Sequence, residues 1–474
     1  MPLAREAAPP FLGAGVRRAV SPAAYWGKRL VIFIVAAWTA SLVVGFEGAL
    51  LILTLVGFAA AVAGVRRPVL GLLGVTMLCS LDPLSRNYLL TGGIWRWNTF
   101  NYWLLVVMLI SLPFLLHLRD IQSRLLQIFV LLLFLELAVS ADWQSGIQHV
   151  LNIVTLFGLL VYFARCKWDQ AVRHWIALVS GTLAGAGGLV FYLKQESLPE
   201  INPNSWSFFP LTAIFAIALA FSSGHVRRGR LLLGLLAGVN SVWVFLSGSR
   251  GSFLITLVCL VFIVVQLWRS GRTVPILAAA VLLAVAVASQ FLSEEAFAVR
   301  KLDKMLDTRR SLTSRTSGRW DLALGGWYIF RDHPFGVGTG GFSDAWANLR
   351  YREGLSAFRE GEQSQAHSGW IKTLTENGIP GILILTAFLL SFAIVGWRQR
   401  HLGLFLLGLL ATVGLSLALL PDEFQGKALW FLAAAVMTVF RRAGASRRRP
   451  SLNGVAGGRW NSQDSLRQSA LHSQ

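Results

Sequence analysis

Charge is what this chain has least of. Only 14% of its 474 residues are Asp, Glu, Lys or Arg, where a soluble domain carries roughly 25%. A water-soluble protein with one very large core would need polar surface that this composition does not supply. Acids are the scarcer sign, 23 against 43 bases, for a net charge of +20. Cysteine is nearly missing: Cys79, Cys166 and Cys259 give neither a disulfide framework nor the spacing of a metal site. HExxH and DxD do not occur, and no glycine run ends in the GKS or GKT of a P-loop. These gaps point to a protein that uses no metal and no cofactor. No internal repeat is visible. No small-residue cleavage site clearly follows the first apolar run, so the expectation is a retained first span and not a cleaved signal peptide.

What is there is apolar sequence. Hydrophobic residues make up 55% of the chain, and mean hydropathy is +0.59. They come in runs of about 16 to 20 residues, long enough to cross a bilayer as helices. The reading is an all-α polytopic transmembrane bundle. Spans are expected at about 30–46, 49–65, 69–84, 99–117, 125–140, 147–164, 175–193, 207–223, 231–247, 251–268, 274–292, 378–397, 402–420 and 428–440. The chain then divides into a cytoplasmic segment 1–29, a bundle 30–292, an outer loop subdomain of short helices 293–377, C-terminal spans 378–440, and a tail 441–474. The tail is basic, then rich in Ser, Gln and Asn, a composition that reads as disordered.

The excess of base sits in short connections: Arg66 and Arg67, Arg227 to Arg230, Arg269 to Arg272, and Arg398 to His401, with Arg441, Arg442 and Arg447 to Arg449 in the tail. With the spans above, every basic connection falls on one side. That is the positive-inside pattern of a membrane protein, and it argues against a nucleic-acid partner. Both termini then lie in the cytoplasm, and the loop 293–377 lies on the opposite side.

That loop holds 11 of the 23 acidic residues. Loops carried on a rigid scaffold are where function concentrates. A helix capped by Ser317 is expected from Gly318 to about Asp332. Trp320, Leu324, Trp327 and Phe330 recur along it at helical spacing, a stripe expected to pack the loop onto the membrane surface or the bundle. Pro334 follows, and then Gly336-Val337-Gly338-Thr339-Gly340-Gly341-Phe342. This run reads either as backbone N–H groups offered to a phosphate, with Gly338 and Gly340 in supporting roles, or as a plain turn. His367 opens a further short helix through Glu376. Gly378 is its expected C-terminal cap residue, and Pro380 starts the next span.

Few residues can carry chemistry. His149, His333 and His367 are the histidines on the outer side. Arg250 stands in SGSRGS at the hairpin between two spans. It is an arginine on the side that topology does not ask for. Small neighbours leave room there for an anion, and a guanidinium grips phosphate as a planar fork. Snorkelling to headgroups is the bland alternative. Arg315 and Arg319 sit near the start of the tryptophan helix, where positive charge opposes the macrodipole unless something anionic is bound. With Arg250 they form a candidate clamp on a diphosphate. An imidazole with its ordinary pKa of about 6.5 is mostly neutral at pH 7, which suits His367 as a general base; pairing with Glu376 is its structural alternative. Glu136, an acid inside a span, reads equally as a functional group or as a packed, helix-paired one.

Three stretches carry a resemblance: SGSRGS at the start of a span, SGRW followed by D-HPFGVGTGGF, and HSGWIKTLTENGIPG leading into a span. Between about Val242 and Ile384 the chain resembles the O-antigen ligase and O-antigen polymerase superfamily. The resemblance implies a metal-independent GT-C-type glycosyltransferase of the bacterial inner membrane with its active site on the periplasmic side. It implies an undecaprenyl-diphosphate-linked glycan as donor. The acceptor would be lipid A-core sugar for a ligase, or a second lipid-linked glycan for a polymerase. It also implies essential roles for Arg250, Arg319 and His367. The sequence departs from the family in Ser368, where Asn is frequent, and in its larger number of spans. A transporter or flippase of lipid-linked glycans is the alternative from another class. It is expected to show paired midplane charges and a repeat between halves, and the sequence shows neither.

The topology has a direct check. Single cysteines introduced within 300–365 should react with a membrane-impermeant maleimide added from outside, and cysteines beside Arg228 should not. Labelling of the second group alone contradicts the orientation.

Overall fold

The computed structural model describes residues 21–64, 66–88, 120–140, 142–166, 169–194, 203–222, 229–247, 249–268, 307–309, 311, 316, 318–353, 366, 368–419 and 427–448. Among them are fourteen α-helices and no strand. In chain order these are α1 (Pro22–Val44), α2 (Phe46–Ala63), α3 (Pro68–Tyr88), α4 (Ile121–Leu137), α5 (Trp143–Arg165), α6 (Gln170–Lys194), α7 (Pro203–Phe221), α8 (Arg230–Leu246), α9 (Arg250–Trp268), α10 (Arg319–Asp332), α11 (Phe342–Glu353), α12 (Gly369–Arg398), α13 (Leu402–Ala418) and α14 (Lys427–Arg448). The chain is an all-α membrane bundle. Five helices, α1, α2, α6, α9 and α12, are each long and apolar enough to cross a membrane, and α3, α7, α8, α13 and α14 carry shorter apolar stretches. The spans expected at 99–117 and 274–292 lie outside the described residues, as do the first twenty residues and the tail beyond 448.

Helix starts follow capping chemistry more than hydropathy. α1 begins at Pro22, ahead of its apolar run, because Ser21 accepts a hydrogen bond from Ala24 N–H at 3.2 Å and Pro22 suits the first turn. Asp120 caps α4 by accepting from Ser123 N–H at 3.1 Å, and Asp142 caps α5 by accepting from Ser145 N–H at 3.0 Å. Asp169 accepts from Val172 N–H at 2.7 Å at the start of α6.

α7 is the central helix. Every residue from Trp206 to Ser222 is buried, and α7 packs against α3, α6, α8, α9 and α14. A helix apolar on all sides belongs in the interior of such a bundle. α2 and α3 meet along glycines. A methyl group on Gly64 would lie 2.5 Å from Gly71 Cα, and one on Gly74 would lie 2.5 Å from Ala61 N. Small residues let two membrane helices come this close, so that van der Waals contact holds them together.

The basic connections gather at one end of the bundle. Arg67 lies over the Trp26 ring at 5.0 Å, Arg173 donates to Ser222 Oγ at 3.4 Å, Gly229 packs on His174, and Arg441 pairs with Asp120. These contacts join the start of α1, the α2–α3 turn, the starts of α4, α6 and α8, and the ends of α7 and α14. The opposite end carries the α4–α5 turn, the starts of α7 and α9, the end of α13, and the loop helices α10 and α11.

Candidate functional site

The site end is built around a break in α12. Its first residues, Gly369 to Asn377, form a helical segment set off from the span by Gly378, whose φ of 55° and ψ of −150° are not helical. Pro380 follows. The expected cap and span start therefore coincide with this kink. Two carbonyls lose their helical partners there. Pro380 has no N–H to give Glu376, and the turn at Gly378 swings the Ile379 N–H away from Thr375. An unsatisfied buried carbonyl costs roughly 1–3 kcal/mol.

Residues 334–341 supply what is missing. Val337 N–H donates to the Thr375 carbonyl at 2.9 Å, Gly338 N–H donates to the Glu376 carbonyl at 3.0 Å, and Ile379 N–H donates back to the Pro334 carbonyl at 3.0 Å. The strap closes on itself through Gly336 N–H to His333 O and Gly341 N–H to Gly338 O. Gly336, Gly338 and Gly340 all have φ near +90°, and their bare sides lie against backbone. A side chain on Gly338 would meet Ser140 Cα at 2.9 Å, and one on Gly340 would run into Gly146 at the start of α5. Of the two readings of the glycine run, the turn describes this geometry: the N–H groups of Val337 and Gly338 are already engaged by carbonyls.

Three side chains seal the junction. Asn377 Nδ2 donates to Glu136 Oε2 near the end of α4, and to Thr339 Oγ1 at 3.3 Å. Thr339 Oγ1 stands 3.4 Å from Glu136 Oε2 and 3.3 Å from the Leu133 carbonyl. Asn377 and Thr339 are buried. Glu376 is buried as well, with Lys372 Nζ at 3.9 Å from its Oε1.

The segment 369–377 is pinned at its other end too. Gly369 N–H and the Ser368 hydroxyl both donate to the Leu419 carbonyl, at 2.8 and 3.2 Å, and Trp370 Nε1 donates to Ser416 O at 3.0 Å. Ala366 belongs to a small second core with Leu322, Ile329, Phe342, Trp346 and Leu349. The neighbours of His367 on both sides are thus fixed, one in the loop core and one on the end of α13. His367 itself lies outside the described residues, as does Arg315.

Arg319 is the first residue of α10 and is exposed. Ser317, the expected cap, is also outside the described residues. The capping groups come from Thr316, whose carbonyl accepts from Arg319 N–H at 3.3 Å and whose hydroxyl accepts from Trp320 N–H at 3.0 Å. A left-handed Gly318, φ 81°, makes this reach possible. α10 turns the two tryptophans of its aromatic stripe outward, as packing on a membrane surface requires, and buries another face against the protein. Trp320 and Trp327 are 47% and 54% exposed, and the packed face is Leu322, Gly325, Gly326 and Ile329. Gly325 lies against Trp346, and Gly326 against Ile371 and Thr375 of α12. Helical spacing was right, but the glycines mark the buried side because only they let Trp346 and Ile371 approach. At the far end of α10, Asp332 accepts from Arg352 of α11 at 2.6 Å. That hydrogen bond holds the Asp332 carboxyl below the usual carboxylate range, so the link is present at neutral pH and fades as pH falls through the lowered value.

Arg250 is the first residue of α9. Its chain neighbours Ser249 and Ser252 belong to a buried hydroxyl cluster, with Ser207 Oγ and Ser252 Oγ 2.7 Å apart and Ser249 Oγ donating to Ser252 Oγ at 3.2 Å. α9 and α12 both pack on α13, so one helix carries both arms of the candidate site. Among the described residues no three His, Cys, Asp or Glu side chains converge. His333 is exposed at the end of α10, and His149 is buried in the first turns of α5.

Residues 232–386 match the model of a family described as O-antigen ligase. The match covers about a third of the chain, from α8 through the loop helices into the membrane part of α12, and it encloses Arg250, Arg315, Arg319 and His367. No curated protein sequence matches the chain.

A test of the strap follows from two glycines. Gly45 has φ 97° and open space where a Cβ would go, whereas Gly338 has φ 89° and the Ser140 backbone there. Gly45→Ala should cost only the backbone strain of a φ/ψ region that is essentially glycine's, about 1–3 kcal/mol. Gly338→Ala should lower the thermal midpoint in detergent clearly further. Equal losses would show that the strap is loosely held.

Proposed function

We propose, from the O-antigen ligase superfamily domain that the chain carries over residues 232–386, that it transfers a glycan from a polyprenyl diphosphate to an acceptor hydroxyl. The observation that carries this reading is the coincidence of that domain with the pinned end of the bundle. The matched segment contains Arg250, Arg315, Arg319 and His367, and the flanks of His367 are held by the loop core and by α13. The membrane is the bacterial inner membrane, and the chemistry takes place on its periplasmic side. The donor is an undecaprenyl-diphosphate-linked glycan and the acceptor is lipid A-core sugar. Polymerisation onto a second lipid-linked glycan is the neighbouring reaction in the same superfamily.

The leaving group explains the residues. The bond from the anomeric carbon to the diphosphate oxygen breaks, and the electron pair leaves with the diphosphate. Arg250 and Arg319, with Arg315, stabilise the charge that develops there, so the reaction runs without a metal ion. The acceptor oxygen attacks the anomeric carbon from the opposite face, inverting it, and His367 takes the acceptor's proton. Gly338, Gly340 and Glu376 act indirectly, by holding the segment that follows His367.

Purified variants in detergent, assayed for transfer in EDTA, test the mechanism. His367→Ala should lower turnover by about 10²- to 10⁴-fold and leave donor binding intact. Arg250→Lys should also fail, because an ammonium lacks the planar fork. Full activity of His367→Ala, or wild-type activity that EDTA abolishes and added metal restores, overturns it. The lipopolysaccharide gel of a deletion strain separates the reactions: loss of all long-chain sugar indicates ligase, a single-repeat band polymerase, and lipid-linked glycan stranded inside a flippase.

A further inference from the structure

Glu136 takes no part in this chemistry, yet it is placed where the bundle meets the loop. It stands in the last turn of α4, and its Oε2 accepts from Asn377, the residue immediately before the kink glycine. Thr339, on the glycine strap, lies within hydrogen-bond distance of both side chains. One carboxylate oxygen thereby joins three chain segments that are remote in sequence. α4 is itself anchored at its other end, where Asp120 pairs with Arg441 of α14, so Glu136 is fixed relative to the bundle. The backbone bonds from the strap to Thr375 and Glu376 join two parts of the site end to each other. The Asn377 and Thr339 side-chain bonds to Glu136 tie that junction to a side chain of the bundle.

We infer that Glu136 is a positioning residue. By holding Asn377 and Thr339 it sets where the segment 369–377 stands relative to the membrane bundle. It touches neither substrate nor the reacting atoms. Asn377 and Thr339 are buried, and a buried polar group needs such a partner, since leaving it unpaired is costly. Asn is suited to the partner's role because its amide carries two N–H donors, one for Glu136 and one for Thr339. The requirement is for an acceptor oxygen at position 136, and the amide oxygen of Gln meets it.

The inference rests on the transferase reading, and its test has one arm that does not. In the transfer assay Glu136→Ala and Asn377→Ala should each lower kcat on the order of 10- to 100-fold, the scale of a small misplacement of a reacting group, with donor KM little changed. The double variant should be no worse than the poorer single, because both remove the same link. Glu136→Gln should keep activity within about threefold of wild type. Independently of activity, tryptic cleavage at exposed Arg352 should speed up in Glu136→Ala and Asn377→Ala and stay at the wild-type rate in Glu136→Gln. Should the wild type transfer no glycan, the transferase reading fails and the cleavage rates still decide whether the clamp exists. Failure of Glu136→Gln as severe as that of Glu136→Ala, additive losses in the double variant, or unchanged cleavage in all three overturns the inference.

Discussion

Everything at the site end depends on an exchange of backbone hydrogen bonds at the α12 kink. Pro380 and Gly378 break two helical bonds whose carbonyls belong to buried residues, Thr375 and Glu376. The strap 334–341 mends the break by donating two N–H groups to the freed carbonyls and accepting one back. At roughly 1–3 kcal/mol for each buried group left unpaired, this is the difference between a usable kink and a ruinous one. A kinked helix can place a polar segment across the end of the bundle while its continuation crosses the membrane. His367 stands just ahead of that segment.

The two ends of the bundle are held by different chemistry. At the basic end, a cation–π contact joins the α2–α3 turn to the start of α1, and the Asp120–Arg441 pair joins the start of α4 to the end of α14. At the site end the fastening is made of backbone bonds, hydroxyls, the Glu136 carboxylate and the Asp332–Arg352 pair, with glycines allowing backbone to lie on backbone. Between them α7 is buried along its whole apolar length and gives the other helices a common surface.

Much of this was legible in the sequence. Twelve of the expected spans coincide with helices, because a run of apolar residues long enough to cross a bilayer has few other structures open to it. The break at Gly378 and Pro380 was readable from residue type alone. The strap was not: its glycines at 336, 338 and 340 read only as a turn or as N–H groups for a phosphate. Its partners at Ser140, Gly146 and Glu376 are set by long-range packing that no local pattern encodes. The same limit explains α10: periodicity found the helix, but Gly325 and Gly326 decided which face was covered. Glu136 could be recognised as unusual, and only the fold shows that Asn377 is what it holds.

Hydrogen–deuterium exchange across residues 334–341 tests the central claim most directly. Val337 and Gly338 are loop residues by sequence, yet each donates its N–H to a carbonyl of a kinked membrane helix. The account predicts that these two amides exchange as slowly as amides in the membrane part of α12 and are released together with those of residues 375–379. Exchange of Val337 and Gly338 at the rate of an exposed loop, while α12 stays protected, would contradict it.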